Sequence, residues 1–365
     1  MRHDSLDDTH LLYGLILKAE SILRNCFGSG NVEELYYQYT KMQSFEAMLT
    51  SGCMWATNMK YLNDYLEFQL GIKTVENLFS SYSDHMSQEI RKDLSDFKKE
   101  YENDVFSTFS VSFCEQGDLL SQWITYAKEG GISVGFDFSD PSLYWGQKID
   151  EEYYRTNVMT GPMALMYVSR EPSNPLSSEN VNRIMSFINE IKLQKKGGMK
   201  TDIEKLAFEM ILCYIKNEHF KQEQEHRIVS VPCINFLSCA EEKKYSSEIK
   251  TTLQESHVFR PYIVLYPITE DNTAAKLPIA ELIVGPASNQ KNIYKSLVYK
   301  LEHSYTEDIK IEIPKPEIME KRKKRFKQRL EEMKKDFTDE EIKERIHFCE
   351  KWGLIIRMSD SSYVF

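Results

Sequence analysis

Residues Tyr36 to Asp64 read YYQYTKMQSFEAMLTSGCMWATNMKYLND, and their pattern predicts the first elements of a folded core. The first of these residues form a short aromatic run, which predicts a β-strand. The apolar residues that follow recur at helical spacing and end at Ser51-Gly52, which predicts a short helix with a glycine terminus. CMWATNM then predicts a second strand. The segment therefore reads as strand, helix and strand, and it closes on the polar pair Asn63-Asp64.

The rest of the chain mixes strands with helices. Alternating or apolar runs predict strands in VFSTFSVSFCE, GISVGFDF, EHRIVSVP, RPYIVLYPI and AELIVGP. Helical spacing predicts helices at 11–23, in DLLSQWITYA and at 202–216. This irregular mixture is typical of an α+β fold. We expect an α+β core over residues 33–314, with helical additions at 1–32 and 315–365.

The C-terminal addition differs in charge from the core. Residues 315–335 hold ten Lys or Arg and four Glu, so ten minus four leaves a net +6 on one predicted helix. Residues 337–352 predict a second amphipathic helix, followed by a strand. The basic segment 321–329, KRKKRFKQR, is a candidate contact for nucleic-acid phosphates or a protein partner. A solvated or partner-facing helix is the favoured alternative, because the remainder of the chain is acidic.

Composition excludes several classes of protein. The chain has 365 residues, 28% charged and 41% apolar, and a net charge of -10. These values are typical of a folded globular protein and disfavour nonspecific DNA binding by the whole molecule. The seven cysteines are scattered and form no ligand pattern, so no metal is implied and reduced thiols are expected. The acidic N-terminal sequence and the absence of a long apolar run favour a cytoplasmic protein without a membrane segment.

The motif QEQEHRIV is the strongest candidate for chemistry. Glu223, Glu225 and Arg227 alternate, so a strand would place them on one face and His226 and Ile228 on the other. Carboxylates beside a cleft can hold ribose hydroxyls or stabilise a developing oxocarbenium ion. A surface ladder of salt bridges is the alternative interpretation.

The opening strand offers a second set of candidates. Tyr37, Gln38, Tyr39 and Thr40 combine flat aromatic surfaces with amide and hydroxyl groups that can bind a sugar or a carboxamide. A buried aromatic strand with one outward amide is the favoured alternative.

The polar pair after the second strand has a simpler reading. Asn63 and Asp64 are expected to cap or turn the chain, and Glu67 to be a solvated helix residue. They belong to a ligand site only if the fold brings them to the same cleft.

The order of these motifs resembles a widespread bacterial family of uncharacterised domains. The motifs are YYQYT, SFEAMLTSGCMWATNMKYLND, FSVSFCEQGDLLSQWITYAKEGGISVGFDF, EQEHRIV and PIAELIVGP, and they cover most of residues 35–314. In that family the first motif usually reads Tyr-His-Tyr-Thr, and some members are encoded among phage-defence and abortive-infection genes. Trp123 is a marker of the resemblance, and we expect it to anchor its helix in the core.

The opening strand, helix, glycine and strand also resemble, remotely, the start of the ADP-ribosyltransferase fold. That resemblance implies a mixed or antiparallel core in which the first strand contacts NAD and a glutamate on a late strand serves catalysis. It implies that Gln38 stands in place of the usual His and that Tyr37 and Tyr39 line the nicotinamide side. Ser110 or Ser112 would approach the ribose.

The same resemblance assigns roles in QEQEHRIV. Glu225 would be the catalytic carboxylate, with Glu223 as the fallback. Arg227 would orient Glu225, bind a pyrophosphate or serve as a plain ion-pair partner.

Three functions follow in order of preference. The first is a bacterial antiviral effector of the defence or toxin type, which uses NAD as substrate to ADP-ribosylate a nucleic-acid or protein acceptor or to hydrolyse NAD. The second is a non-catalytic regulatory module of an abortive-infection system that binds a nucleotide or a partner. The third is a metal-dependent nuclease, which is less favoured because QEQEHRIV contains an arginine where a lysine is wanted.

Overall fold

The computed structural model describes most of the chain between residues 35 and 361. The described ranges are 35–62, 67–80, 108–140, 142–148, 154–156, 162–170, 177–196, 211–230, 249–253, 258–269 and 273–361, with a few single residues besides. The predicted N-terminal segment 1–32 lies outside them.

The described chain contains both strands and helices in an irregular order. The strands are β1 Leu35–Thr40, β2 Met54–Asn58, β3 Phe109–Cys114, β4 Ile132–Asp137, β5 Tyr144–Lys148, β6 Tyr154–Thr156, β7 Met163–Ala164, β8 Met166–Val168, β9 Ile215–Asn217, β10 Glu225–Ser230, β11 Lys250–Leu253, β12 Phe259–Ile268, β13 Ile279–Val284, β14 Ile346–Cys349 and β15 Leu354–Met358. The α-helices are α1 Met42–Ser51, α2 Glu67–Ser80, α3 Leu120–Tyr126, α4 Ser178–Lys196, α5 Gln290–His303, α6 Pro316–Met333 and α7 Asp339–Arg345.

The described residues form two compact units. Unit 1 comprises those within 55–111 and 145–265, and unit 2 those within 31–54, 112–144 and 266–365. The predicted domain bounds at residues 33 and 315 stay a prediction.

Unit 2 contains a mixed sheet in the order β14, β15, β13, β4, β1. β13 and β15 are parallel, whereas β4 pairs antiparallel with both β1 and β13. The register places Tyr37 opposite Gly135 and Gln38 opposite Val134. Because successive side chains of a strand point to opposite faces, Tyr37 and Tyr39 share one face and Gln38 and Thr40 the other.

Two glycines explain how the opening segment folds. Gly52 ends α1 in the left-handed region, at φ +68, and its N–H donates to Met48 O at 2.9 Å. Gly135 lies against the ring of Tyr37, since a Cβ placed there would be 2.8 Å from Tyr37 Cε1. The predicted glycine terminus and the predicted strand are therefore both observed.

The C-terminal elements are part of unit 2. One face of α6 carries Phe326, Leu330 and Met333 into an apolar cluster with residues of α7, β14 and β15. The buried Arg322 of the same helix donates to Ile279 O at 3.1 Å. The second C-terminal helix is shorter than predicted, because residues 346–349 pair with β15 instead of continuing α7.

Unit 1 contains shorter pairings. β2 pairs with β3, β7 with β10, and β11 with β12, all antiparallel, whereas β8 and β9 are parallel. The helix predicted over 202–216 is wrong at its end, where Ile215 and Lys216 belong to β9. The parallel and antiparallel strands with flanking helices confirm the α+β class. Within the described residues, no helix is long and apolar enough to cross a membrane.

Candidate functional site

Tyr37 and Tyr39 lie in the core of unit 2. Each is only 7% exposed, and both belong to an apolar cluster with Trp123 and Ile283. The Tyr39 ring meets the Trp123 ring edge-on, with centroids 4.8 Å apart. The tyrosines of YYQYT are thus packing residues, and Trp123 anchors α3 as expected.

The hydroxyl of Tyr37 is used by a buried polar network. It donates to Glu281 Oε2 at 2.5 Å, and Arg357 Nε donates to the other oxygen of Glu281 at 2.7 Å. Arg357 also lies 3.5 Å from Asp118 Oδ2, while Asp118 Oδ1 accepts the indole N–H of Trp123 at 2.7 Å. Burial raises the pKa of Tyr37 well above its usual value, and the negative charge of Glu281 adds to that shift. The tyrosine is therefore a neutral donor held by this network.

Gln38 and Thr40 occupy the opposite face of β1. Both are half-buried, and the buried Oε1 of Gln38 has no hydrogen-bond partner in the described part of the chain. An unsatisfied buried amide oxygen is costly, so this atom is a place where a ligand donor would be favourable.

Ser110 and Ser112 are the candidate residues on β3. Ser110 of β3 is buried, and its hydroxyl has no hydrogen-bond partner within the described ranges. Ser112 is half-buried on the same strand. Asn63 and Asp64 lie outside the described residues.

The QEQEHRIV motif forms a buried charge cluster in unit 1. Strand β10 begins at Glu225, and Glu223 lies in the preceding 3₁₀ turn. Glu225 Oε1 accepts from Arg227 Nε at 2.6 Å, and Arg227 Nη1 donates to Cys213 O at 2.7 Å. Lys216 on β9 pairs with Glu225 Oε2 and lies 2.6 Å from Glu223 Oε2. The motif is therefore buried from Glu225 onward, and it is not the surface ladder considered as the alternative.

Glu67 completes the charge cluster, which we define as Glu67, Lys216, Glu223, Glu225 and Arg227. Its Oε1 is 2.8 Å from Arg227 Nη2, an ion pair whose alignment falls short of a hydrogen bond. Glu67 is 3% exposed, so the expectation of a solvated helix residue is wrong. The local sequence indicates only where its helix begins, and the distant Arg227 is what draws the side chain inward.

The charge cluster holds its carboxylates in different protonation states. Burial raises the pKa of Glu67 to about 7, partly opposed by Arg227. Burial also acts to raise the pKa of Glu225, but Arg227 and Lys216 outweigh it and lower the value to about 2. Near pH 7, Glu225 is ionised and Glu67 is close to half ionised. Two carboxylates whose pKa values are pushed apart in one buried cluster mark a candidate functional site.

Access differs among the members of the charge cluster. The Glu223 side chain is 19% exposed and has Lys216 as its ion-pair partner, whereas that of Glu225 is 7% exposed and lies between two cations. Tyr167 accepts the backbone N–H of Glu225 at 2.8 Å, which fixes the start of β10. Glu223 is thus the carboxylate best able to meet a ligand, and Glu225 the one held most firmly.

The predicted basic segment 321–329 lies within α6. Arg322 is 1% exposed and pairs with Asp137 at 3.4 Å, so this cation is occupied by the fold. Lys324 and Lys327 are exposed. Among the described residues, no group of three or more His, Cys, Asp or Glu side chains is placed to hold a metal ion.

Comparison with known proteins gives one match. Residues 122–228 match the family model described as protein of unknown function (DUF2971). The matched segment contains Trp123 and four of the five members of the charge cluster, and it covers less than half of the chain. It supports the resemblance of this chain to an uncharacterised domain family. Neither the curated proteins nor the solved structures yield a match.

Sequence reasoning missed two members of the charge cluster. Helical spacing over 202–216 predicts Lys216 at the end of a helix, yet it lies on β9 with its ammonium group against Glu223 and Glu225. The local pattern predicts a solvated Glu67, yet its side chain is buried. The signal for both was the acidic motif itself, because buried carboxylates require cations nearby.

Proposed function

We propose that this protein is an effector whose ligand is NAD, and that it cleaves the nicotinamide glycosidic bond to hydrolyse NAD or to ADP-ribosylate a macromolecule. The observation that carries the proposal is the charge cluster. Burying charged side chains costs several kcal/mol each, and a buried ion pair is often no more stable than apolar packing. A cluster kept despite that cost, with one carboxyl poised near pH 7, is a reasoned place for binding and chemistry.

The chemistry needs little from the protein. The C1′–N bond breaks, and its electron pair leaves with the nicotinamide nitrogen, which becomes neutral. An oxygen of water or of the acceptor then bonds to C1′ and loses its proton to solvent. A restrained ribose and a carboxylate near the forming cation supply the acceleration.

The different exposure of Glu223 and Glu225 suggests a different role for each carboxylate. Glu223 is the more accessible carboxylate and would face the ribose, while Glu225 holds Lys216 and Arg227 in place. Glu225 remains the catalytic candidate implied by the ADP-ribosyltransferase resemblance, and that finer fold assignment is part of the proposal. Gln38 of unit 2, whose buried Oε1 is unsatisfied, stands in the position where the resemblance implies a His.

The second candidate is a non-catalytic module that binds the nucleotide or a partner. The observation in its favour is that each oxygen of Glu225 already faces a cation, Arg227 on one side and Lys216 on the other. Two adjacent cations offset the negative charge of Glu225, and that charge would be needed to stabilise an oxocarbenium ion. A cytoplasmic role in antiviral defence belongs to both candidates.

The test is incubation of purified protein with NAD labelled in the nicotinamide or the adenylate half, alone and with bacterial lysate or nucleic acid. We expect release of nicotinamide, with transfer of the adenylate label when an acceptor is present. Glu225→Gln and Glu223→Gln should each reduce release by about a hundredfold or more.

The matched control is Glu179→Gln, which removes an exposed carboxylate in the same unit that pairs with Arg183. It should leave release unchanged. Retained NAD binding without release would support the second candidate instead. Loss of added RNA or DNA that depends on a divalent metal would support the nuclease, and an absence of both binding and release would overturn the proposal.

A further inference from the structure

Unit 2 contains a cavity that the proposed function does not use. Its volume is about 510 Å³, which is within the range that small ligands occupy. Leu35 and Tyr37 of β1 line one side, and Glu115, just after β3, lines another. The remaining side is formed by α6.

Helix α6 presents a polar stripe to this cavity. The lining residues are Arg325, Gln328, Arg329 and Glu332. They are spaced at i, i+3, i+4 and i+7, so they lie on one side of the helix. The apolar stripe of Phe326, Leu330 and Met333 packs elsewhere in unit 2. The polar stripe of α6 and the buried strand β1 therefore line the same cavity, and the stripe does not fill it.

The two arginines give the cavity a charged end. Arg325 and Arg329 are four residues apart, and like charges at that spacing repel each other on a helix. Arg329 lies 3.0 Å from Glu332, and its positive charge partly opposes the rise in the pKa of Tyr37 and helps to lower the pKa of Glu281. The planar fork of a guanidinium group matches phosphate geometry, so these two side chains together suit one phosphate group.

The other polar groups fit the rest of a nucleotide. Glu115 and Glu332 offer carboxylate oxygens, which accept hydrogen bonds from sugar hydroxyls as acidic residues do in nucleotide sites. Gln328 can both donate and accept, as recognition of a base edge requires. Leu35 and Tyr37 provide a partly apolar surface for a flat base.

We propose that this cavity binds a ribonucleoside monophosphate, with the phosphate on Arg325 and Arg329 and the ribose hydroxyls on Glu115 or Glu332. The site lies wholly within unit 2 and shares no residue with the charge cluster, so it does not depend on NAD cleavage. It gives the chain a nucleotide input separate from the proposed effector chemistry.

The test is calorimetric titration of the full chain with AMP, GMP, CMP and UMP, one at a time. We expect at least one to bind with a Kd below about 1 mM, and the matching nucleoside without phosphate to bind about tenfold more weakly. Arg325→Gln combined with Arg329→Gln should weaken binding by about tenfold or more. Lys324→Gln combined with Lys327→Gln removes the same charge from exposed positions of α6 and should leave the Kd unchanged.

Glu115→Ala provides a second variant outside the helix, in case the double arginine variant loses its fold. It should weaken nucleotide binding and leave the binding of inorganic phosphate unaffected. No binding of any of the four nucleotides would overturn the proposal. Equal weakening by the arginine and lysine pairs would also overturn it, because it would indicate nonspecific attraction to a basic helix.

Discussion

Glu67 is the residue in the charge cluster whose charge changes near neutral pH. Its folded pKa of about 7 lies above the ordinary value of 4.5, so the folded state binds this proton more tightly than the unfolded chain does. The stability gained from that proton is complete below about pH 4.5 and is lost as the pH rises through 7. The group is almost fully buried, so screening by solvent is weak.

We predict that replacing Glu67 by Gln removes this dependence. From pH 4.5 to 8, the free energy of unfolding of the native protein should fall relative to Glu67→Gln by an amount on the order of a few kcal/mol. Urea unfolding of both proteins across this range measures the difference. A difference that does not change with pH would contradict the assignment.

Arg227 is the cation on which the buried carboxylates depend. Arg227→Met leaves Glu225 and Glu67 without their shared partner, and we expect it to cost about 3–5 kcal/mol in stability. Lys300→Met removes one side of the exposed Lys300–Glu46 pair and should cost far less. Thermal unfolding followed by circular dichroism compares the two. Equal losses would indicate that the charge cluster is no more important to stability than a surface pair.

Strands β1 and β4 pack closely where the ring of Tyr37 lies against Gly135. A Cβ at Gly135 would lie 2.8 Å from Tyr37 Cε1 and 3.2 Å from Glu281 Cβ, and both neighbours are held by hydrogen bonds or sheet pairing. Gly135→Ala should therefore destabilise the protein by about 1–3 kcal/mol through overpacking.

A double-mutant cycle tests this contact. Tyr37→Leu removes the ring that the new methyl group would meet, so Gly135→Ala should cost less in that background. Denaturant unfolding of the four proteins gives the coupling. An equal cost in both backgrounds would show that the ring does not impose the glycine.

Local patterns predicted those elements whose cause is local. The left-handed Gly52, the alternation of β1 and the buried Trp123 all follow from residues within a few positions of each other. The helix predicted over 337–352 ends at Arg345, because the residues that follow pair with β15. Lys216 was misplaced for the same reason, since β9 pairs with β8, a strand distant in sequence.

For the molecule as a whole, the C-terminal residues determine where the folded core ends. Residues 315–361 supply α6, α7, β14 and β15, and β15 brings Arg357 to within 2.7 Å of the buried Glu281. We predict that a chain ending at residue 314 fails to fold, because this carboxylate loses its cation and β13 loses its parallel neighbour.

Expression of residues 1–314 and of a full-length Arg357→Lys variant checks this prediction. The truncated chain should be insoluble or lack a cooperative melt, whereas the lysine variant retains the charge and should fold with reduced stability. A truncated chain that melts cooperatively would support the separate C-terminal addition predicted from the sequence.

If the charge cluster in unit 1 is the NAD site, changing its most accessible carboxylate should weaken NAD binding. The measurement is calorimetric titration of NAD into the full chain and into Glu223→Gln, with a melt of each protein to confirm that it is folded. We expect binding by the native protein and a Kd raised by about tenfold or more in the variant. Absence of NAD binding, or equal affinity in the two folded proteins, would contradict this assignment.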